Sequence, residues 1–240
     1  VNAAKAKGVE IIGHHETAGQ VQNYEQQLDD AFKLYRDVGV NYVKTGYVGR
    51  IKPNKEFHQG QYMVNHYNHV METAFKYHLM LDVHEPIKPT GLRRTFPNLL
   101  SGEGVRGTEF AAHKIKNTPS HFTTVPFTRL LVGPIDYTPG LVKIKGDGHH
   151  GMSTLANQVA QWVVFYGPLL MASDLPRNYQ NHPAFAFFKE LTTEWEDYRV
   201  LSGEICEHIT MIRLGTNQKI YLGSMTNEAA REVNIMTDFN

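Results

Sequence analysis

One cysteine, Cys206, stands among 240 residues. A lone thiol forms no internal disulfide and builds no thiolate metal cluster. It leaves the compartment open, because exported proteins are often cysteine-poor as well. Charge of either sign is also not in surplus: Lys and Arg number 24, Asp and Glu 24, and the formal net charge at pH 7 is zero. A nucleic-acid surface needs a basic excess, so this balance speaks against one. No stretch approaches the ~18 consecutive apolar residues of a membrane span. The opening VNAAKAKGVE lacks the charged-then-apolar order of a signal peptide.

What the chain does have is carboxylates set among turn residues. They occur in HHET (14–17), LDVHEP (81–86) and SGEGVRGTEF (101–110). Glu16 and Glu85 each end an apolar, β-branched run and each follows a histidine. Parallel strands of α/β proteins deliver reactive groups at their carboxyl ends. Glu103 and Glu109 lie in a glycine-rich loop just beyond. Four glutamates able to converge on one rim point to acid/base chemistry on a polar substrate, with a hard cation on some of them.

The pattern between these motifs alternates. Strand-like runs at Val9–Gly13, Asn41–Val48, Leu79–Val83, Leu130–Ile135 and Leu169–Ala172 are separated by helical periodicity. Leu28, Ala31, Phe32 and Tyr35 share one face of a helix over 24–38. Tyr62, Val70, Ala74 and Tyr77 do so over 61–78, and further helices are expected at 152–166 and 184–195. A long loop broken by prolines and glycines follows Val83, the kind that is functional or disordered in a compact domain. Such alternation implies βαβ units and a parallel sheet. Five or six units are countable, fewer than the eight of a closed barrel. After Ser202, EHITMIRLG, KIYLGSMTN and REVNIMT read as antiparallel strands, with turns at Gly215-Thr216-Asn217 and Asn227-Glu228. The expectation is therefore an α/β chain: a (β/α)8 TIM-type barrel lacking its amino-terminal strands (1–201), then the start of an antiparallel β-sandwich (202–240).

The motifs GHHETAG, NYVKTGYVG, DVHEPIKPTGLRRTFPN, SGEGVRGTEF, GPIDYTPG and KIYLGSMTNEAAREVNI carry a resemblance from about Val9 to the end. The chain resembles glycoside hydrolase family 97, in particular its calcium-dependent, inverting α-glucosidases of bacterial starch-utilisation systems. That resemblance implies a periplasmic enzyme acting on α-glucosides such as malto-oligosaccharides. It also implies an amino-terminal β-sandwich domain, absent from this chain, that completes the site.

Glycoside hydrolysis needs one carboxyl group to protonate the leaving oxygen and a second to activate water or attack the sugar. By the resemblance, Glu109 is the acid, Glu85 the base, and Glu16 its partner in holding the water. Without it, Glu109 reads as a solvated loop residue and Glu16 as an edge carboxylate paired with a cation. The resemblance further implies Ca²⁺ held by Glu85, Glu103 and Glu109. Sugar contacts are expected from His14, His15, Glu16, Lys44, His84 and Glu85. Retaining relatives carry an aspartate nucleophile where this chain has Gly46, so the resemblance implies inversion here; a turn or bulge glycine is the plainer reading, and the two are compatible.

Arg93, Arg94 and Arg106 suit bidentate contacts to the loop carboxylates. Asp136, near a strand end, is a site candidate or a turn cap. The chain's 13 histidines do not make a zinc site. His66 with His69, and His149 with His150, lack zinc spacing, and HExxH is absent.

Overall fold

The computed structural model describes residues 1–112, 117–146, 149–150 and 152–236, without the side chains of 112, 145–146 and 149–150. Two compact units divide the chain: residues 1–104 with 132–136, and residues 105–131 with 137–240.

The first unit begins with a short helix, α1 (Asn2–Lys5), and then alternates strands with helices: β1 (Ile12–Glu16), α2 (Val21–Asp37), β2 (Tyr42–Gly46), α3 (Gln61–Lys76), β3 (Met80–Val83) and β4 (Leu99–Gly102). The four strands form one parallel sheet in chain order. Val21, Tyr24, Leu28 and Phe32 recur every three or four residues along α2 and are buried, so this helix lays one stripe on the sheet. Met63, Tyr67, Val70 and Ala74 do the same on α3. Between them they cover Val43, Leu81 and Val83, which point to the helix side. Burying a side chain such as Leu28 or Phe32, both 0% exposed, contributes roughly 1.5–3 kcal/mol.

Strand side chains alternate, so the opposite face carries a different set. Register places His14 beside Lys44, Lys44 beside Asp82, and Asp82 beside Ser101. A polar row thus crosses all four strands on the face turned away from the helices. This division of one sheet into an apolar and a polar face is what positions the site.

Three strand expectations changed here. The strand expected at Val9–Gly13 lies at Ile12–Glu16. Leu99–Gly102, read as loop, is β4: four residues are too few to show a period, and the stretch before them is broken by Pro86, Pro89 and Pro97. Leu130–Ile135, read as strand, opens with a 3-10 turn at Arg129–Val132. Only Ile135 joins the sheet, through a parallel bridge to Gly102. Among the described residues the sheet has four strands and this bridge, so the closed eight-stranded barrel is not present in them.

The second unit contains α4 (Pro119–Thr124), a two-stranded ribbon β5 (Lys145–Gly146) and β6 (His149–His150), then α5 (Leu155–Val164), α6 (Pro176–Tyr179), α7 (Pro183–Glu190), β7 (Trp195–Glu204), β8 (His208–Gly215) and β9 (Ile220–Thr226). The last three strands form an antiparallel meander. Its inner side chains Ile209, Met211, Tyr221 and Met225 are buried. Val163 of α5 sits against Gly223, whose missing side chain admits the helix.

The turn at Gly215-Thr216-Asn217 lies where the sequence places it. Three other expectations fail. Trp195–Glu204 is a strand, and the preceding helix stops at Glu190. Most of β7 is exposed on both faces and its register shifts twice, so no apolar alternation betrays it. REVNIMT forms no strand over its described residues. Leu169–Ala172 is held by a backbone bond from Met171 to Tyr137 rather than by a ladder. Among the described residues no helix is long and apolar enough to cross a membrane.

Candidate active site

The polar face of the first unit gathers most of the sequence candidates at the carboxyl ends of its strands. β3 ends at Val83, and the chain turns sharply through His84 and Glu85. Glu85 has φ 42°, a left-handed conformation that a side chain with a β-carbon rarely adopts. Strain of this kind persists only when its surroundings impose it. They do so here. The Tyr67 hydroxyl, delivered by α3, donates to the carbonyls of both His84 and Glu85 at 2.8 Å. The His84 amide donates to the Thr45 carbonyl at 2.8 Å. The carbonyl of Pro86 is held at 3.1 Å by Nε2 of His58, whose other nitrogen meets the Tyr47 hydroxyl. Burial, with Glu85 nearby, pushes that Tyr47 hydroxyl up to about 12, which keeps it a neutral partner.

Glu103 is brought in by β4. Its amide donates to the Val83 carbonyl at 2.8 Å, and its Oε2 lies 3.4 Å from the Glu85 amide. Ligand atoms of His84, Glu85 and Glu103 all lie within 4.8 Å of one another. Two carboxylates at that separation suit a hard, oxygen-seeking ion. Calcium therefore fits the Glu85–Glu103 pair.

Beneath this turn lies a charge network. Lys44 Nζ donates to Asp136 Oδ2 at 2.8 Å, and His84 Nε2 meets the same oxygen. His84 Nδ1 is 3.7 Å from Glu103 Oε2. Burial alone would lower the His84 pKa, yet the bond to Asp136 and the charge of Glu103 hold it above its usual value. Burial would raise Asp136, but His84 and Lys44 hold its carboxyl below the usual range. Asp82 behaves in the opposite way: burial, with Asp136 beside it, pushes it up to about 7. Its Oδ1 accepts from Ser101 Oγ at 2.8 Å.

Gly46 ends β2 opposite Glu16 in register. A β-carbon placed there would lie 2.5 Å from Cβ of His84. The space a nucleophilic side chain would need is thus occupied.

The sequence candidates on β1 separate. His14 and Glu16 are exposed on the polar face, and Glu16 Oε1 accepts from the Ala18 amide at 2.8 Å. That bond closes a local turn, so the partner of this carboxylate is a backbone N–H rather than a cation. His15 is a correction. Strand alternation turns it to the helix side, where it stacks on Tyr35 at 4.8 Å and on Phe32 at 5.7 Å. Its Nδ1 meets the Tyr24 hydroxyl at 2.8 Å, and burial pushes its pKa down to about 4. The structure gives it a packing role, apart from the face that carries His14, Lys44 and His84.

Glu109 belongs to the second unit, in a 3-10 turn at Thr108–Ala112, and is exposed. Asn117 ties this segment down by donating to the carbonyls of Arg106 and Gly107, and Thr108 bonds to the Thr138 carbonyl. The Glu109 carboxylate occupies the space beside Gly107 where a β-carbon would stand. Arg106 lies over the Phe110 ring, and the Arg93 guanidinium fills the space beside Gly133. His66 is a core residue whose Nδ1 meets Glu25 at 2.9 Å. The side chains of His149 and His150 lie outside the described residues.

Sequence reasoning missed Asp82 and Tyr67. Asp82 had a signal, an ionisable residue inside the apolar run of β3. Tyr67 had none, because its place on the buried stripe of α3 is where any aromatic core residue would sit.

A family model described as Glycoside hydrolase 97 matches residues 1–105, and one described as Glycosyl-hydrolase 97 C-terminal, oligomerisation, matches residues 194–240. A retaining alpha-galactosidase of Bacteroides thetaiotaomicron is 30% identical over 100% of this chain and 36% of its own length. A probable retaining alpha-galactosidase of Streptomyces bingchenggensis is 26% identical over 86% of this chain and 30% of its own. A Glycoside Hydrolase Family 97 enzyme from Pseudoalteromonas sp. strain K8, solved in complex with panose and with acarbose, is 42% identical with a TM-score of 0.90. The match covers 96% of this chain and 38% of that one. The chain thus spans between 30% and 38% of the length of these relatives. Both matched stretches carry one family's description, and a member of it superposes on nearly the whole chain: the chain belongs to glycoside hydrolase family 97.

Proposed function

We propose that this chain forms part of an exo-acting glycoside hydrolase that releases glucose from α-glucosides with inversion of configuration, assisted by calcium. In this reading the four-stranded sheet is an arc of a (β/α)8 barrel and the meander opens a β-sandwich. A further amino-terminal domain completes the site, and the enzyme works in the periplasm.

The observation that carries the reading is Gly46. Its strand end has no carboxylate, and His84 fills the space for one. Without a nucleophile on this strand, water attacks the anomeric carbon from the face opposite the leaving group. Glu109 donates a proton to the glycosidic oxygen as that bond breaks. Glu85 takes the proton of the attacking water, which Glu16 helps to hold. The strained backbone at Glu85 suits a group whose direction matters more than local stability. His14, Lys44 and His84 bond the sugar hydroxyls. Glu85 and Glu103 would hold calcium. When bound, the ion supplies positive charge that orients these carboxylates and polarises the site.

The substrate assignment draws on the Pseudoalteromonas enzyme, which binds panose, a trisaccharide of α-linked glucose. A second reading, retaining α-galactoside hydrolysis, has the names of the two curated relatives in its favour. One experiment separates the two: proton NMR of the anomeric region during early hydrolysis of maltose and of an α-galactoside, with calcium present. Initial β-glucose that disappears in Glu109→Gln supports the proposal. Initial α-galactose from the galactoside would replace it with the second reading.

A further inference from the structure

We infer that Asp136 is a positioning residue that holds the Lys44 ammonium and the His84 imidazole in one fixed arrangement facing the sugar, and thereby sets how tightly the sugar is bound. The inference rests on the reading that Lys44 and His84 contact substrate.

Asp136 cannot itself touch a ligand, because its side chain is 3% exposed. The two groups it holds can: the Lys44 side chain is 17% exposed and that of His84 26%. Both converge on a single oxygen, Oδ2, although one comes from β2 and the other from the turn after β3. A lysine stem has several rotatable bonds and samples many positions unless its ammonium is anchored. An imidazole with one nitrogen committed has its ring orientation decided, as with histidines oriented by a carboxylate in metal sites. Here the commitment of Nε2 turns Nδ1 toward Glu103, at 3.7 Å.

Asp136 is a firm anchor for such a task. Its amide donates to the Gly102 carbonyl at 3.0 Å, next to the Ile135 bridge, so it is tied to the end of β4. That same strand end leads into Glu103. One short stretch of backbone therefore locates the carboxylate that orients His84 and the carboxylate that His84 faces. A buried carboxylate is costly unless it is paired, and Lys44 with His84 supplies the pairing. Pairing for stability alone would have been met by one cation. Two partially exposed donors on one oxygen, both pointing from the polar face, fit a positioning role.

The test is Asp136→Asn in the native protein that carries this chain. Hydrolysis of p-nitrophenyl α-glucoside and p-nitrophenyl α-galactoside is measured alongside proton NMR of the His84 ring. The amide keeps the shape and removes the charge. The expected result is a KM raised about 10- to 100-fold with kcat altered much less, since an orienting partner is lost while the reacting carboxylates stay. In the wild-type protein, a downfield, slowly exchanging Nε2 proton is expected that vanishes in His84→Gln and is lost or shifted in Asp136→Asn. Unchanged KM in the variant, or no such proton in the wild type, overturns the inference. If the wild type hydrolyses neither glycoside, the hydrolase reading fails. The positioning role is then judged by the NMR signal and by calorimetric binding of maltose. If the variant does not fold, the wild-type proton alone decides.

Discussion

Gly46 and His84 stand so close that a β-carbon on the glycine would lie 2.5 Å from Cβ of the histidine. Gly46 ends β2 and His84 opens the turn that follows its neighbour β3, and their contact closes off the strand end at which a covalent nucleophile would have to stand. Gly46→Asp is therefore expected to abolish activity rather than convert the protein to a retaining enzyme. Overpacking against His84 should also lower stability by about 1–3 kcal/mol. Anomeric NMR and denaturant unfolding of Gly46→Asp and Gly46→Ala check both statements. A stable Gly46→Asp variant with normal rates would refute them.

Tyr67 is expected to matter for turnover although it lies on a core helix. Its hydroxyl serves the two carbonyls that flank the strained Glu85. Tyr67→Phe keeps the ring and removes both bonds. Steady-state kinetics should show a fall in kcat, because the proposed base loses its fixed direction, while the melting temperature drops only slightly. Retention of full kcat would show that the turn holds its conformation by other means.

Removal of calcium should reduce both activity and thermal stability, with recovery on adding Ca²⁺ back. In the proposed site two carboxylates brought together without an ion would repel each other, and an ion that binds only the folded state would stabilise it. Glu103→Gln should raise the Ca²⁺ concentration needed for recovery. Isothermal titration of the chelated protein measures this directly, and an unchanged affinity would remove Glu103 from the ligand set.

His15 should impose a pH dependence on stability. Burial, with His14 adding repulsion, pushes its pKa from 6.5 down to about 4. The folded state therefore holds it neutral where the unfolded chain takes up a proton. Its contribution is complete above about pH 6.5 and is lost as pH falls toward 4. Denaturant midpoints of the wild type and His15→Phe should converge as the pH is lowered through this window, if the wild type is the more stable at pH 7. A constant difference between pH 7 and pH 4 would show that His15 does not titrate in this way.

The sequence by itself determined the alternation of strands and helices from β1 to β3. There the apolar stripes of α2 and α3 repeat every three or four residues over four turns, long enough to read. It also made the glutamates at strand ends visible, because each breaks an apolar run at a turn. It was silent on β4 and β7, one too short to show a period and the other exposed on both faces. It was misleading on 130–135, where apolar residues coil rather than extend.

Only the tertiary structure decided the facing of side chains and the partners across the sheet. A strand one residue out of phase exchanges its two faces. His15 and His14, neighbours in sequence, thus went to an aromatic stack and to the polar row respectively. The pairing of Lys44 with Asp136 spans 92 residues, and that of His84 with the same oxygen spans 52. Such contacts depend on which strands lie side by side, and that order is settled by packing of the whole sheet rather than by any local pattern.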